Sequence, residues 1–485
     1  MSMSCRVPVA LLVSLVLTAC GSTAPTPGST PSQTPQPPST TLGAPSPSPA
    51  GPTGTPAGSG VDAAAIGRAF VQALATGDFA VAEGMCDDAM RAAAPAAKLG
   101  QLWQTFTSQY GAFQGIADVK TTEQAPYTIA AVETTFATAS VALAITVTAA
   151  GLVGGLHVGA VQGASPGPSA SPAAYVNPEA FAESDVTVGS APWALPGTLS
   201  MPKGPGPFPG VVLVAGSGPE DRDETIGPNK PLRDIAWGLA SAGIAVLRYD
   251  KRTLVYGVQM AQPPLSDSIT VKEETVDDAV AAISLLRATP GIDSSRVYVV
   301  GHSLGGYLAP RIAAAAPGQL RGIVMLEANS RPLPELILAQ VEYLASLSGS
   351  PDPSAQAQIS ALQAAIALAE SPDLSPSTPA SQLPLNVPAS YWLDLRAYDA
   401  VAVAAGLTIP MLFTQGGRDY QVTEADFQGW KTGLSGHSDV TFNIYPALDH
   451  LLLAGTGPST PAEYAVPGHV DAGLMDDLAS WILNN

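Results

Sequence analysis

A serine between glycines stands near the middle of the chain, in Val297-Tyr298-Val299-Val300-Gly301-His302-Ser303-Leu304-Gly305-Gly306. The run before it is apolar and β-branched, and an alanine-rich helical stretch follows at 307–316. A G-x-S-x-G sequence between a buried strand and a helix makes a turn too tight for side chains at its glycines. Gly301 and Gly305 therefore give room, and Ser303 is pushed out of the sheet edge in a strained conformation. The helix behind it aims backbone N–H groups at the same point, which suits an oxyanion developing on a carbonyl under attack. The chemistry such residues can do is nucleophilic catalysis through the Ser303 hydroxyl.

A serine nucleophile needs a base, and the base needs a carboxylate to orient it. After Ser303 come His437, His450 and His469. His450 directly follows a strand-like run at 441–445, so it lies on a loop at a strand's C-terminal end, where α/β sites gather. His437 sits in a polar turn before that run and faces the wrong end. His469 follows Pro467-Gly468 and reads as a surface or capping residue. His302, inside the turn, is expected to pack beside the site. The acid should precede the histidine. Pro410-Met411-Leu412-Phe413-Thr414 reads as a short buried strand, and Asp419 lies in the loop after it. Asp419 is the expected orienting carboxylate, with Asp449 as the fallback, although adjacency to His450 points its side chain elsewhere.

The oxyanion donors are expected to be the N–H after the nucleophile, on Leu304, and one from an earlier loop. Val211-Val212-Leu213-Val214-Ala215 is a buried run followed by Gly216-Ser217-Gly218-Pro219 and then Glu220-Asp221-Arg222-Asp223-Glu224. The Ser217 N–H is the second expected donor. From about Asp185 to the C-terminus the chain resembles the α/β-hydrolase family. It looks most like secreted bacterial serine esterases with a His-Gly-Ser-Gly-Pro type loop and a charged Asp-Arg-Asp segment. The resemblance includes Thr225-Ile226-Gly227-Pro228-Asn229-Lys230 and Leu247-Arg248-Tyr249-Asp250-Lys251-Arg252. Ala215 stands where those proteins often have histidine, which leaves the backbone donor but removes a histidine brace. The resemblance implies an α/β-hydrolase fold and hydrolysis of small carboxylic esters through an acyl-serine. A thioesterase, lactone hydrolase or serine peptidase would use the same machinery, and a binding protein on a hydrolase scaffold is the alternative from another class.

The elements that must position these residues follow from apolar patterning. Buried runs at 210–215, 244–249, 297–301, 323–326, 411–414 and 441–445 suit a mostly parallel, doubly wound sheet, with helical stretches at 232–242, 273–288 and 470–483. Residues 329–395 form a longer insertion, helical at 335–347 and 354–369, in the position where α/β hydrolases commonly carry a cap; it is expected to cover the site. Together these make up a hydrolase domain at 179–485. Before it, residues 61–163 read as a small α+β domain. Ile66, Phe70, Val71 and Leu74, and then Leu99, Leu102, Trp103 and Phe106, recur at helical spacing, and strand-like runs follow at 117–120, 127–135, 138–148 and 155–161. That order resembles the nuclear-transport-factor-2-like domains found before some secreted hydrolases. Residues 164–178 read as a linker.

The N-terminus adds an address. An apolar stretch at 9–19 has signal-peptide length and ends in Leu17-Thr18-Ala19-Cys20, which resembles a bacterial lipobox. Residues 1–20 are thus expected to be a lipoprotein signal. Cys20 would be acylated and would anchor the chain on the extracytoplasmic face of the cell membrane. Residues 21–60, dominated by Pro, Ser, Thr and Gly, are expected to be a disordered tether. Of three cysteines, processing would leave Cys86 as the one thiol, so no disulfide framework is expected. Cys86 reads as a small buried hydrophobe. With no Cys/His cluster and no His-Glu-x-x-His, neither a metal nor a cofactor is expected. A net charge of −19 argues against nucleic-acid binding. Oligomeric state leaves no trace in the sequence.

Overall fold

The computed structural model describes residues 61–124, 127–137, 139–163, 171–260, 264–347 and 353–485. The expected signal segment, Cys20 and the tether lie outside the described residues, as do 164–170 of the expected linker.

The N-terminal region begins with a helix, Ala63–Thr76, that has a defined start and stop. The Asp62 carboxylate accepts from Ala65 N–H at 2.9 Å, and Gly77 ends the helix in the left-handed region at φ 81°. Helices Phe79–Gly84, Asp88–Ala93 and Ala96–Tyr110 follow. Four strands then form an antiparallel meander in the order β1 (Phe113–Gln124), β2 (Tyr127–Phe136), β3 (Ala139–Thr148), β4 (Val153–Gly163). Alternate residues of β2, from Ala130 and Val132 to Phe136, are buried in one core with Phe70, Leu74, Leu99, Trp103 and Phe106. The Leu/Trp/Phe pattern is thus core. Cys86 is buried there, its Sγ 3.4 Å from the Ala82 carbonyl, and burial pushes its thiol up to about 11. It is an inert hydrophobe at neutral pH.

The second region is built on an eight-stranded sheet. Its strands are β5 (Phe181–Val188), β6 (Leu195–Pro202), β7 (Phe208–Val214), β8 (Ala245–Tyr249), β9 (Ile292–His302), β10 (Gly322–Leu326), β11 (Met411–Gly416) and β12 (Val440–Tyr445), in the order 12-11-10-9-7-8-6-5. Strands β7 to β12 run parallel, whereas β5 and β6 form an antiparallel edge. Both faces of the parallel part are covered. Val297 and Val299 of β9 belong to one core layer, and Tyr298 and Val300 to the other. Strand order reverses between β7 and β9, the switch point where α/β sheets open a crevice at their C-terminal ends.

The insertion between β10 and β11 carries helices Leu333–Leu347, Pro353–Glu370 and Ala389–Arg396. It is tied down on two sides. Gln340 Nε2 donates to the Gln421 carbonyl at 3.0 Å, Tyr343 Oη donates to the Ser459 carbonyl at 2.7 Å, and the Tyr343 ring stacks on Tyr420 at 5.1 Å. On the other side Tyr391 Oη donates to Glu274 at 2.7 Å and Ser390 Oγ to the Ile269 carbonyl at 2.8 Å.

Candidate active site

Ser303 joins β9 to the helix Leu304–Ala315 with φ 53° and ψ −117°, the strained turn expected of the motif. The glycines are required by contact. A Cβ at Gly301 would collide with the Gly305 carbonyl, and one at Gly305 with the Val214 carbonyl. Ser303 N–H is held by the Leu326 carbonyl at 2.9 Å. His302 and Leu304 are buried, while Ser303 between them keeps partial access to solvent.

His450 follows β12 by one short turn, and Asp419 follows β11. Their side chains meet: His450 Nδ1 lies 2.7 Å from Asp419 Oδ2, with both groups buried. The other Asp419 oxygen accepts from the N–H groups of Gln421 at 2.7 Å and Val422 at 3.0 Å, which fixes the carboxylate plane. An ionised Asp419 on Nδ1 makes that nitrogen the donor and leaves Nε2 as the free base. No hydrogen bond joins Ser303 Oγ to His450 among the described residues. His302, next to Ser303 in the chain, has its ring centroid 4.8 Å from that of His450. Serine–histidine bonds are commonly long before substrate is bound.

The loop after β7 closes on the serine. A Cβ at Gly216 would lie 3.2 Å from Ser303 Cβ. Gly216 N–H is occupied by Glu224 Oε1 at 2.7 Å and its carbonyl by Lys251 Nζ at 2.7 Å. The N–H groups of Ser217 and Leu304 meet no acceptor among the described residues, so both remain available to an oxyanion. The brace expected to be missing with Ala215 is supplied from elsewhere, by Glu224 and Lys251.

Other expected side chains have different employment. Asp449 folds its own loop, accepting from Leu451 N–H at 2.9 Å and Leu453 N–H at 3.1 Å. His437 Nε2 lies 2.8 Å from the Leu407 carbonyl, before β12. His469 is neither a free surface residue nor a cap. It pairs with Asp234 at 2.8 Å, and Asp471 caps the last helix.

Two buried acids beside the site escape motif reading. Glu224 Oε2 stands 2.9 Å from His302 Nδ1, off hydrogen-bond alignment but in close ion contact. Burial alone would lower the His302 pKa, but the Glu224 carboxylate outweighs it and holds the imidazole up at about 9. Burial likewise opposes charge on Glu224, which His302 and Gly216 N–H nevertheless keep below the ordinary value. Glu327, at the end of β10, accepts from Gly416 N–H at 2.8 Å and Gln415 Nε2 at 2.9 Å. Burial, with the Asp419 charge nearby, pushes its carboxyl well above the ordinary range. Each had one visible signal, an acid next to a glycine-rich loop and an acid ending an apolar strand.

A mostly parallel sheet with helices on both faces, a strained serine at the switch point and an Asp–His pair on the loops after β11 and β12 define an α/β hydrolase. Residues 230–456 match the family described as serine aminopeptidase, S33, and residues 68–156 match a protein family of unknown function (DUF3887). The chain is 40% identical over 414 residues to Esterase EstD of Thermotoga maritima, covering 85% of this chain and 94% of that protein. It belongs to the same α/β-hydrolase family and is an esterase-type hydrolase. Solved structures are more distant. An esterase of Pyrococcus furiosus has 14% identity and a TM-score of 0.38, over 63% of this chain and 91% of that one. Dipeptidyl peptidase 4 of Porphyromonas gingivalis has 16% identity and a TM-score of 0.39, over 76% and 43%.

Proposed function

We propose that the protein is a serine carboxylesterase, and the 2.7 Å Asp419–His450 pair beside the strained Ser303 is the observation that carries this reading. Ser303 Oγ attacks the ester carbonyl while His450 Nε2 takes its proton. Asp419 holds the tautomer and faces the imidazolium. The N–H groups of Leu304 and Ser217 receive the oxyanion. The C–O bond to the alcohol then breaks, His450 returns the proton to the leaving oxygen, and an acyl-serine remains. Water, deprotonated by His450, releases the acid and restores Ser303. The test is a fluorophosphonate followed by mass spectrometry of the labelled peptide, together with turnover of p-nitrophenyl butyrate. The label is expected on Ser303, and Ser303→Ala and His450→Ala should each lose about three orders of magnitude or more in kcat while folded. Asp419→Asn should be severe but milder. Wild-type turnover in folded His450→Ala would remove it from the base role.

The match to serine aminopeptidases supports a second reading, cleavage at a peptide N-terminus by the same groups. Aminoacyl p-nitroanilides run beside the esters decide between them by kcat/KM.

The location we propose is the outer face of a bacterial cell membrane, with Cys20 lipidated, residues 21–60 as tether, and 61–163 as an accessory domain of nuclear-transport-factor-2-like type before the hydrolase domain. The apolar stretch ending in Leu17-Thr18-Ala19-Cys20 supports this address. In a bacterial host the chain should fractionate with membranes and carry diacylglyceryl on Cys20, and Cys20→Ser should stay unprocessed. An intact, unlipidated N-terminus in the mature wild-type protein would refute it.

A further inference from the structure

The Glu224–His302 pair lies between two loops that the proposed chemistry must hold at a fixed separation, and it bonds to the backbone of each. At one end Glu224 Oε1 accepts from Gly216 N–H at 2.7 Å, one residue before the Ser217 donor. At the other end His302 Nε2 donates to the backbone carbonyl of His450 at 2.8 Å. Between them Glu224 Oε2 and His302 Nδ1 stand 2.9 Å apart. His302 itself directly precedes Ser303. One continuous path of side chains therefore joins the oxyanion loop, the nucleophile turn and the base loop. We propose that Glu224 and His302 are a positioning pair that sets the distance from the oxyanion donors to the base.

Three further observations favour positioning over a pair that merely fills the core. Both side chains are almost wholly buried, 2% exposed for His302 and 3% for Glu224. A buried ion pair is seldom worth more to stability than apolar residues of the same shape, so what it supplies is registry. Glu224 also adopts φ 52°, a left-handed conformation that non-glycine residues avoid and that persists where surrounding contacts impose it. Those contacts are present. Asp221 accepts from the N–H of Asp223 at 3.1 Å and of Thr225 at 2.9 Å, Arg222 grips Asp250 with two bonds, and Arg248 and Lys230 hold Asp223. The charged segment after the glycine-rich loop thus turns Glu224 back onto Gly216. The pair also presents little net charge to His450, whose ring must become an imidazolium during turnover. A path that fixes catalytic groups should act on kcat, because misplacement by about 1 Å can cost on the order of a hundredfold.

This inference rests on the triad reading, and the experiment separates the two. Wild type, Glu224→Gln, His302→Asn and the double variant are assayed as the full chain for kcat and KM on p-nitrophenyl butyrate, for the rate of fluorophosphonate labelling at Ser303, and for melting temperature. Glu224→Gln keeps an acceptor for Gly216 N–H and removes only the charge that His302 meets. The expected result is a fall in kcat of about tenfold or more in each single variant, KM within about twofold, slowed labelling of Ser303, and a double variant no worse than the worse single. Folded variants with kcat within about twofold of wild type, or losses that multiply in the double variant, would overturn the pair as one device. If wild-type label lands away from Ser303, the triad reading fails instead. Should the variants not fold, ¹⁵N-histidine spectra of the wild type decide. One buried imidazole with both nitrogens protonated at pH 8 is expected, and five neutral rings at that pH would overturn the proposal.

Discussion

Among the described residues, six non-glycine residues have positive φ, and four of them surround the site: Glu224, Ser303, Glu327 and Leu452. Each costs about 1–3 kcal/mol of backbone strain, so each needs a bond that holds it. Ser303 has the Leu326 carbonyl, Leu452 donates to Asp449 at 3.0 Å, and Glu327 N–H donates to Thr414 at 3.2 Å while its side chain holds Gly416. Glu327 is the informative case, because a second carboxyl near Asp419 can be tolerated only if it stays neutral. In the fold Glu327 keeps its proton well above 4.5, by burial first and the Asp419 charge second. The unfolded chain gives that proton up near the ordinary value. The folded state then binds the extra proton, and the contribution of Glu327 to stability falls as pH rises above about 4.5. Glu327→Gln has the shape of the neutral acid and no proton to lose. It should retain esterase turnover within about threefold, and its melting temperature should gain on wild type steadily from pH 5 to 8. A gap that stays flat over that range, measured by calorimetry, would mean that Glu327 is ionised in the fold.

At the scale of elements, what was legible follows how clearly an apolar, β-branched run stands out between turn residues. Strands β7 to β11 each hold a buried run bounded by turn residues, and the expected runs fall within or beside them. The expected run at 441–445 does form β12, but as the edge strand it has no buried residue, so its apolar residues mark strand propensity and not a core position. Strands β5 and β6 went unseen. β5 exposes Ala182, Glu183, Ser184 and Asp185 in succession, and β6 contains Pro196, Gly197 and Pro202. The exposed run of β5 guards the sheet edge, whereas β6 lies between β5 and β8 and is mostly buried, and its prolines and glycine read as turn residues that hide the strand. The helix expected at 273–288 is α-helical only from Asp277, because Lys272–Val276 forms a π turn. That turn aims Glu274 at Lys251, 3.1 Å away, and Lys251 in turn holds the Gly216 carbonyl. Such wide turns often occur at functional sites and leave no periodic signal. The same contrast divides the site. Ser303, Asp419 and His450 were legible because each ends a strand in a recognisable local setting. Glu224 and Glu327 were not, because their importance lies in partners 78 and 92 residues away, His302 and Asp419. Only the fold brings those partners together.

The molecule as a whole has two separate hydrophobic systems. One is drawn from Ala63 to Leu156, the other two layers from Tyr175 onward, and no residue belongs to both. Every group assigned to catalysis or positioning lies at or after Gly216. The chain at Tyr175–Asn177 docks on the helix Pro231–Ser241: Asn177 N–H donates to Ser241 at 2.8 Å, and Tyr175 packs over Gly238, where a Cβ would come within 3.1 Å of its ring. A chain shortened to begin at Ser171 therefore keeps that anchor, whereas one beginning at Asn177 would uncover the layer that Tyr175 covers. The Ser171 chain should fold, with kcat on p-nitrophenyl butyrate within about twofold of the full chain, since loss of a separate core does not move Ser303, Asp419 or His450. If the N-terminal region extends the surface that receives larger esters, kcat/KM on a bulky acyl ester should fall while kcat on the small one holds. Melting temperature and circular dichroism check folding before rates are compared. A folded Ser171 chain that fails to turn over the small ester would show that the N-terminal region completes the active site, and the two regions would then have to be treated as one catalytic unit.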